Sequence, residues 1–151
     1  MEGRGTMIIK HKVKYGHFVF DSRDEMNRYI ELCDMQGNGL ISNLRRQYSF
    51  ELIPRQSKMV VKHLKTKDKT VEKFLENPAI YTCDFMYMEN GVYVVEDTKS
   101  WFSRSQADDY PLRRKLMVQK IQNHNAKGRG QWIFREYIVG TKKKPGKIID
   151  R

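Results

Sequence analysis

The tripeptide Glu89-Asn90-Gly91 places the tightest constraint on how this chain folds. Asn-Gly readily takes the positive φ angles that a two-residue hairpin loop requires. It sits between two runs of strand character, Ile80 to Met88 and Val92 to Lys99, so these runs are expected to pair as antiparallel neighbours. The first run carries Asp84 inside the otherwise apolar Cys83-Asp84-Phe85, and the second ends on Asp97-Thr98-Lys99. Side chains two apart on a strand share a face, so Asp97 and Lys99 point the same way. Closing the hairpin can bring Asp84 to Asp97.

The rest of the chain supplies flanking elements. Met7 to Phe20 reads as a hairpin around Tyr15-Gly16, within an N-terminal segment 1–20. Ser22 with Glu25 three residues on matches a capping box. Met26, Tyr29, Ile30 and Cys33 recur at helical spacing, and Gly37-Asn38-Gly39 stops that helix. Gln47 to Ile53 alternates as a strand that halts at Pro54. The basic insert 55–77 is weakly patterned and reads as a mobile or partly helical arm, with a turn of helix at Val71, Phe74 and Leu75. Ser100 to Asp109 reads as a loop. Pro111 suits the first turn of a second helix, whose apolar side is Leu112, Leu116, Met117 and Ile121. Gln131 to Val139 is a last strand, and the basic tail 141–151 reads as loose. Past the first hairpin the order is helix, three strands, helix, strand. The fold class is therefore α/β, with a central mixed sheet flanked by helices, and the 151 residues form one domain.

Composition narrows the partners. The 29 Lys and Arg against 18 Asp and Glu give a formal charge of +11, which favours polyanions, nucleic acid above all. The residues expected to meet such a partner are Lys62, Lys65, Lys67, Arg113, Arg114, Lys120 and Arg129. No apolar run is long enough to span a membrane, and Met1 to Thr6 lacks the apolar core of a secretory signal. A cytoplasmic protein is expected. Cys33 and Cys83 have neither disulfide-scaffold nor zinc-ligand spacing and read as buried free thiols.

Two carboxylates with a lysine beside them suit one chemistry in particular. Hard oxygen ligands hold Mg²⁺, which keeps waters for reaction, and the ammonium can orient a water or offset negative charge. The competing reading is an ordinary Asp–Lys pair at a sheet edge, worth little. Against that, a charge within Cys83-Asp84-Phe85 is costly without a partner. His11, His17, His63 and His124 show neither metal nor triad spacing.

Asp84 followed by Asp97-Thr98-Lys99 resembles the PD-(D/E)XK nuclease motif, and the element order is similar to that superfamily's restriction-endonuclease-like core. Phe20-Asp21-Ser22, Glu25, Arg28-Tyr29, then Gln47 and Phe50, then Asp84-Phe85 and Tyr87, then Val95 to Lys99 resemble a group of small phage and prophage members. Some relatives of that group are Holliday-junction-resolving endonucleases. The resemblance covers about 14–139, and Thr82-Cys83 stands where many members carry a proline. It implies Asp84, Asp97 and Glu25 as ligands of Mg²⁺ or Mn²⁺ and Lys99 as the partner of the nucleophilic water. Glu25 is claimed by both this role and the capping box. The resemblance further points to Gln47 at the first core strand and to Lys115 and Gln119 on the second helix, although a hydrogen bond to a loop accounts for Gln47 at least as well and a solvated basic face is the better account of Lys115 and Gln119. Glu96 alternates away from Asp97 on a regular strand and can pair with a basic helix residue, or join the site through a bulge. Trp101 and Phe102 can pack in the core or stack on bases.

The implied activity is Mg²⁺-dependent hydrolysis of DNA phosphodiesters, structure-specific for branched or Holliday-junction DNA in phage recombination or replication. Because resolving a junction engages two backbones, a homodimer is expected. The alternatives are a nicking or restriction-type nuclease on the same core, and a non-catalytic nucleic-acid-binding protein that keeps the fold.

Overall fold

The computed structural model describes residues 12–106 and 109–151. The fold is mixed α/β. Its main sheet has five strands in the order β11-β10-β9-β8-β3, formed by Lys147–Asp150, Trp132–Val139, Val92–Ser100, Phe85–Glu89 and Ser42–Arg46. β9 and β10 run parallel, and the other neighbours are antiparallel. A parallel pair needs a crossover. Here that crossover is a short helix α2, Trp101–Gln106, and the longer α3, Tyr110–Ala126. The helix α1, Arg23–Gly37, precedes the sheet.

The sheet is apolar on both faces. Leu32 of α1 and Ile41 pack with Phe85, Tyr87 and Val94 on one side. Met117 and Ile121 of α3 pack with Tyr81, Cys83, Met86, Val95 and Phe134 on the other. The β8–β9 hairpin forms as its turn dictates, with Asn90 at φ 52 and Gly91 at φ 78. The helix α1 is capped where expected: the Glu25 amide donates to Ser22 Oγ at 3.1 Å. The expected N-terminal hairpin is present as β1 and β2, Val13–Tyr15 and Phe18–Phe20. The part of that expectation on residues 1–11 lies outside the described residues.

The run from Ile80 is not one strand. It splits into β7, Ala79–Thr82, and β8, with Cys83-Asp84 between them. Its partner splits likewise, into β3 and β4, Ser49–Ile53, at Gln47-Tyr48. Cys83 and Met86 belong to the same core although they are three residues apart. A regular pleat would put them on opposite faces, so the break shifts the alternation by one residue. Gln47, at φ 51, donates its amide to the Asp84 carbonyl at 3.0 Å, and Cys83 donates to the Tyr48 carbonyl at 3.0 Å. These two bonds hold the bend.

Three further expectations are corrected. The insert 55–77 is neither mobile coil nor helix; it is a long hairpin of β5, Gln56–His63, and β6, Asp68–Glu76, forming a two-stranded sheet of its own. Val71 faces Val60 across that ladder, and backbone pairing supplies what a buried face would. The segment read as a loop after Ser100 contains α2, where Ser100 Oγ accepts from the Ser103 amide and opens the first turn. The tail is ordered: β11 pairs antiparallel with β10, and Arg135 grips Asp150 with a two-pronged bond, Nε–Oδ1 2.8 Å and Nη2–Oδ2 3.0 Å.

Close backbone approach lets the tail fold back. A Cβ on Gly146 would come within 2.7 Å of the Ile138 carbonyl oxygen, and one on Gly140 within 2.4 Å of the Gly146 nitrogen. Gly146→Ala is therefore expected to loosen β11 and speed amide hydrogen exchange at Ile148 and Ile149 by roughly tenfold or more, with β8 and β9 unaffected. Unchanged exchange would mean that the turn has room to spare.

Candidate functional site

Asp84, Asp97 and Lys99 meet at the end of the main sheet. Phe85 lies opposite Glu96 in the β8–β9 register, so the next residue, Asp84, falls beside Asp97. Asp84 Oδ2 accepts a hydrogen bond from the Thr98 amide at 2.8 Å. Lys99 Nζ lies 3.1 Å from Asp97 Oδ2. The three side chains line one open pocket of about 410 Å³ with Tyr81, Thr82, Asp109, Tyr110 and Arg113. The strand break makes this possible, because Asp84 sits where the ladder changes partner and is free to turn toward β9.

The electrostatics are those of crowded acids. Burial, then the Asp97 charge, raises the Asp84 carboxyl well above the ordinary range. Burial, then Asp21, raises Glu25, with Asp97 adding to the effect. Burial works against the Lys99 ammonium, but Asp97, Asp84 and Glu25 together outweigh it and hold the lysine charged. Asp97 is 3% exposed, and the Lys99 ammonium is its ion-pair partner. Asp97 Oδ2 and Glu25 Oε1 are both buried without a hydrogen-bond partner. Buried carboxylate oxygens without donors are costly, and a divalent cation is a species that would satisfy them.

Among the described residues, no three Asp, Glu, His or Cys side chains gather into a group that could hold a metal ion. Mg²⁺ does not need that, since it commonly takes one or two carboxylates and fills its shell with waters and phosphate oxygens. Asp84 and Asp97 fit such a donor set. Glu25 stands at the first turn of α1, near enough to feel Asp97 but outside the pocket lining. Ser22 caps the helix through its own hydroxyl, and Glu25 Oε1 is left unpartnered.

The remaining residues singled out from the sequence lie elsewhere. Glu96 points to the opposite face, fully buried, with Arg28 bound to it at 2.9 and 2.7 Å and the Tyr87 hydroxyl at 2.7 Å. It thus holds α1 to the sheet rather than joining Asp97, because β9 keeps a regular pleat with no bulge at that point. The Gln47 side chain is exposed, and only its backbone serves the bend. Lys115 is exposed on α3. Gln119 and Lys120 border a separate groove of about 370 Å³ beside Phe50 and Trp132, one helical turn or more beyond the acidic pocket. Arg113 does line that pocket, where it bonds the Ile80 carbonyl and Asp109. Lys62, Lys65 and Lys67 are exposed on the β5–β6 hairpin, and Arg129 follows α3. Trp101 donates to the Pro145 carbonyl at 3.1 Å with Lys144 Nζ 3.6 Å from its ring centre, and Phe102 is 73% exposed.

Tyr81, Tyr110 and Glu136 were not foreseen. Tyr110 forms a wall of the pocket, with Lys99 Nζ 4.7 Å from its ring centre. An isolated tyrosine before a helix proline carries no signal in sequence that marks it as a pocket residue.

No helix among the described residues is long and apolar enough to cross a membrane. No curated protein and no solved structure matches the chain significantly. A family match does extend over residues 9–138 and so takes in α1, the strand break and all three pocket residues, and on that match the chain belongs to DUF1064, a family described as being of unknown function.

Proposed function

We propose that this protein is a divalent-metal-dependent endodeoxyribonuclease acting on branched DNA. The observation that carries the reading is the pocket in which Asp84 and Asp97 from adjacent strands meet Lys99, whose ammonium lies 3.1 Å from the buried Asp97 Oδ2, in a chain of charge +11. Asp84 and Asp97 would hold the metal, and Glu25 would support it or one of its waters from α1. Bound Mg²⁺ or Mn²⁺ would lower the pKa of a water and offset charge on the phosphate. Lys99, held as an ammonium, would orient the attacking water and stabilise the charge that builds on the phosphate oxygens. Water adds to phosphorus, the P–O ester bond breaks, and the products are a phosphate monoester and a hydroxyl.

The β5–β6 hairpin supplies a means of holding DNA. Lys58, Val60 and Lys62 share one face, and their partners Lys73, Val71 and Lys69 share it with them. Four lysines and no acid thus lie on one side of the ribbon. The other side carries Met59, Val61 and Phe74 with Glu72 and Asp68. A two-stranded ribbon fits the major groove of a duplex, and these lysines would lie along its phosphates. Replacing all four by glutamine is expected to weaken duplex binding and to flatten the plot of log affinity against log salt by about 3 to 4 in slope. A slope unchanged within error would remove the ribbon from the interface.

The test of the reading is incubation of the purified protein with labelled four-way junction, linear duplex and single-stranded DNA, with Mg²⁺ or with EDTA. Cleavage of the junction in Mg²⁺ alone, by a homodimer able to engage both backbones, is expected. Cleavage of duplex or single strands in preference to the junction would keep the chemistry and replace the substrate. Binding without cleavage of any substrate would make this a nucleic-acid-binding protein on the same fold.

A further inference from the structure

We propose that Arg104, Arg114 and Arg151, gathered on the buried carboxylate of Glu136, form a receptor for a nucleic-acid phosphate beside the Asp84–Asp97 pocket. The nature of the substrate rests on the nuclease reading above; the receptor itself rests on different residues. Glu136 lies in β10 directly opposite Asp97 of β9, so the two side chains rise from the same face on neighbouring strands. Its carboxylate is fully buried. It accepts from Arg104 Nε at 2.9 Å, from the Tyr110 hydroxyl at 2.8 Å, from Arg114 Nη1 at 3.2 Å and from Arg151 Nη1.

Three guanidiniums on one carboxylate are more than neutrality requires. Burial would push the Glu136 carboxyl up, but the bonds from Arg104, Arg151 and Tyr110 outweigh it and hold it at about 2. The carboxylate is therefore ionised, and the three guanidiniums outnumber the one side-chain carboxylate that they share. A guanidinium has five N–H donors, and Arg114 and Arg151 each give a single N–H to Glu136. Their side chains remain 14% and 30% exposed, and that of Arg104 28%. Donors therefore remain for a ligand that can reach them. Glu136 also fixes the forks in place, so less side-chain freedom is lost when an anion arrives. A tetrahedral oxyanion with two or three accepting oxygens matches this set of forks.

The position matches as well. Tyr110 bonds Glu136 on one side and lines the acidic pocket on the other. One tyrosine thus separates the receptor from the carboxylates, and a strand whose scissile phosphate lies at Asp84 and Asp97 would offer a neighbouring phosphate to the arginines. Both a phosphodiester within a strand and a terminal phosphate monoester have this chemistry.

The experiment follows the arginine Nε–Hε NMR signals of the whole protein in EDTA. It adds inorganic phosphate, a short duplex with hydroxyl ends, and the same duplex with 5′-phosphates. The Arg104, Arg114 and Arg151 signals are expected to shift with phosphate and with duplex. A shift with the hydroxyl-ended duplex assigns an internal phosphodiester, and one that needs the 5′-phosphate assigns a strand end. Arg104→Lys, which keeps the charge and loses the fork, is expected to weaken duplex binding about tenfold while melting as the parent does. If duplex binds but the three signals stay still, or if Arg104→Lys binds as the parent does, the receptor is overturned and the nuclease reading stands. If phosphate moves the signals and no DNA binds, the receptor stands as a phosphate site and the nuclease reading falls.

Discussion

Replacing Asp97 by asparagine is expected to lower the rate of DNA cleavage by roughly 10²–10⁴-fold while leaving binding in EDTA within about twofold of the parent protein. Asparagine has nearly the shape of aspartate and keeps one oxygen, so the change removes charge rather than volume. The same variant is expected to melt about 2–4 °C higher, the equivalent of about 1 kcal/mol in a chain this long. That second expectation comes from crowding. Asp97 raises its neighbours Asp84 and Glu25, and its own Oδ2 is buried with the Lys99 ammonium beside it. Removing the charge relieves that repulsion and lets an amide N–H₂ donate to Asp84. A gain in stability joined to a loss of activity marks a site built under strain for its ligand. Full cleavage by the variant would remove Asp97 from the chemistry, and a lower melting temperature would show that Asp97 serves the fold through its pairing with Lys99. Asp84→Asn, measured alongside, is expected to lose cleavage to a similar degree.

Arg28→Met is expected to cost about 3–5 kcal/mol of stability, a fall of roughly 10 °C in Tm. Arg28 and Glu96 are 3% and 0% exposed and bind by two parallel hydrogen bonds. Arg28 also stacks over the Tyr137 ring with its guanidinium carbon 3.9 Å from the centre. Methionine fills much of the volume but leaves Glu96 charged in an apolar wall with only the Tyr87 hydroxyl donating. Restoring neutrality with Arg28→Met/Glu96→Gln should recover more than half of the loss, because breaking a buried pair costs more than removing both partners. Cleavage per folded molecule should stay near the parent value in the double variant. If the double variant keeps its fold but cannot cut, Glu96 belongs to the chemistry after all.

Much of this arrangement was legible in the chain, for reasons local to a few residues. Asn90-Gly91 needs positive φ, so the β8–β9 hairpin could be placed without knowing anything else. The two-residue period put Asp97 and Lys99 together and sent Glu96 toward a helix cation, which is Arg28. Ser22 announced the start of α1. What escaped depends on partners far away in sequence or on patterns of low contrast. The β5–β6 hairpin alternates lysines with a mixture of methionine, valine and acids, and only Val60 and Val71 are half-buried, so no apolar stripe marks it. The strand β11 exists because Gly140 and Gly146 let two backbone segments nearly touch. The one-residue shift of pleat at Asp84 leaves no trace in composition. The arginines on Glu136 come from α2, α3 and the chain's last residue, and nothing in the order of residues brings them together.

The hairpin after Pro54 has a consequence for how such chains can diversify. Ile53 is paired with Ala79 in the β4–β7 ladder, so the ribbon leaves and re-enters the domain at two adjacent points. It contributes no residue to either apolar cluster. A short turn could bridge that gap, and a differently shaped arm could occupy it, without disturbing the acidic pocket. Target choice can in this way evolve as an exchangeable attachment while the reactive centre stays fixed.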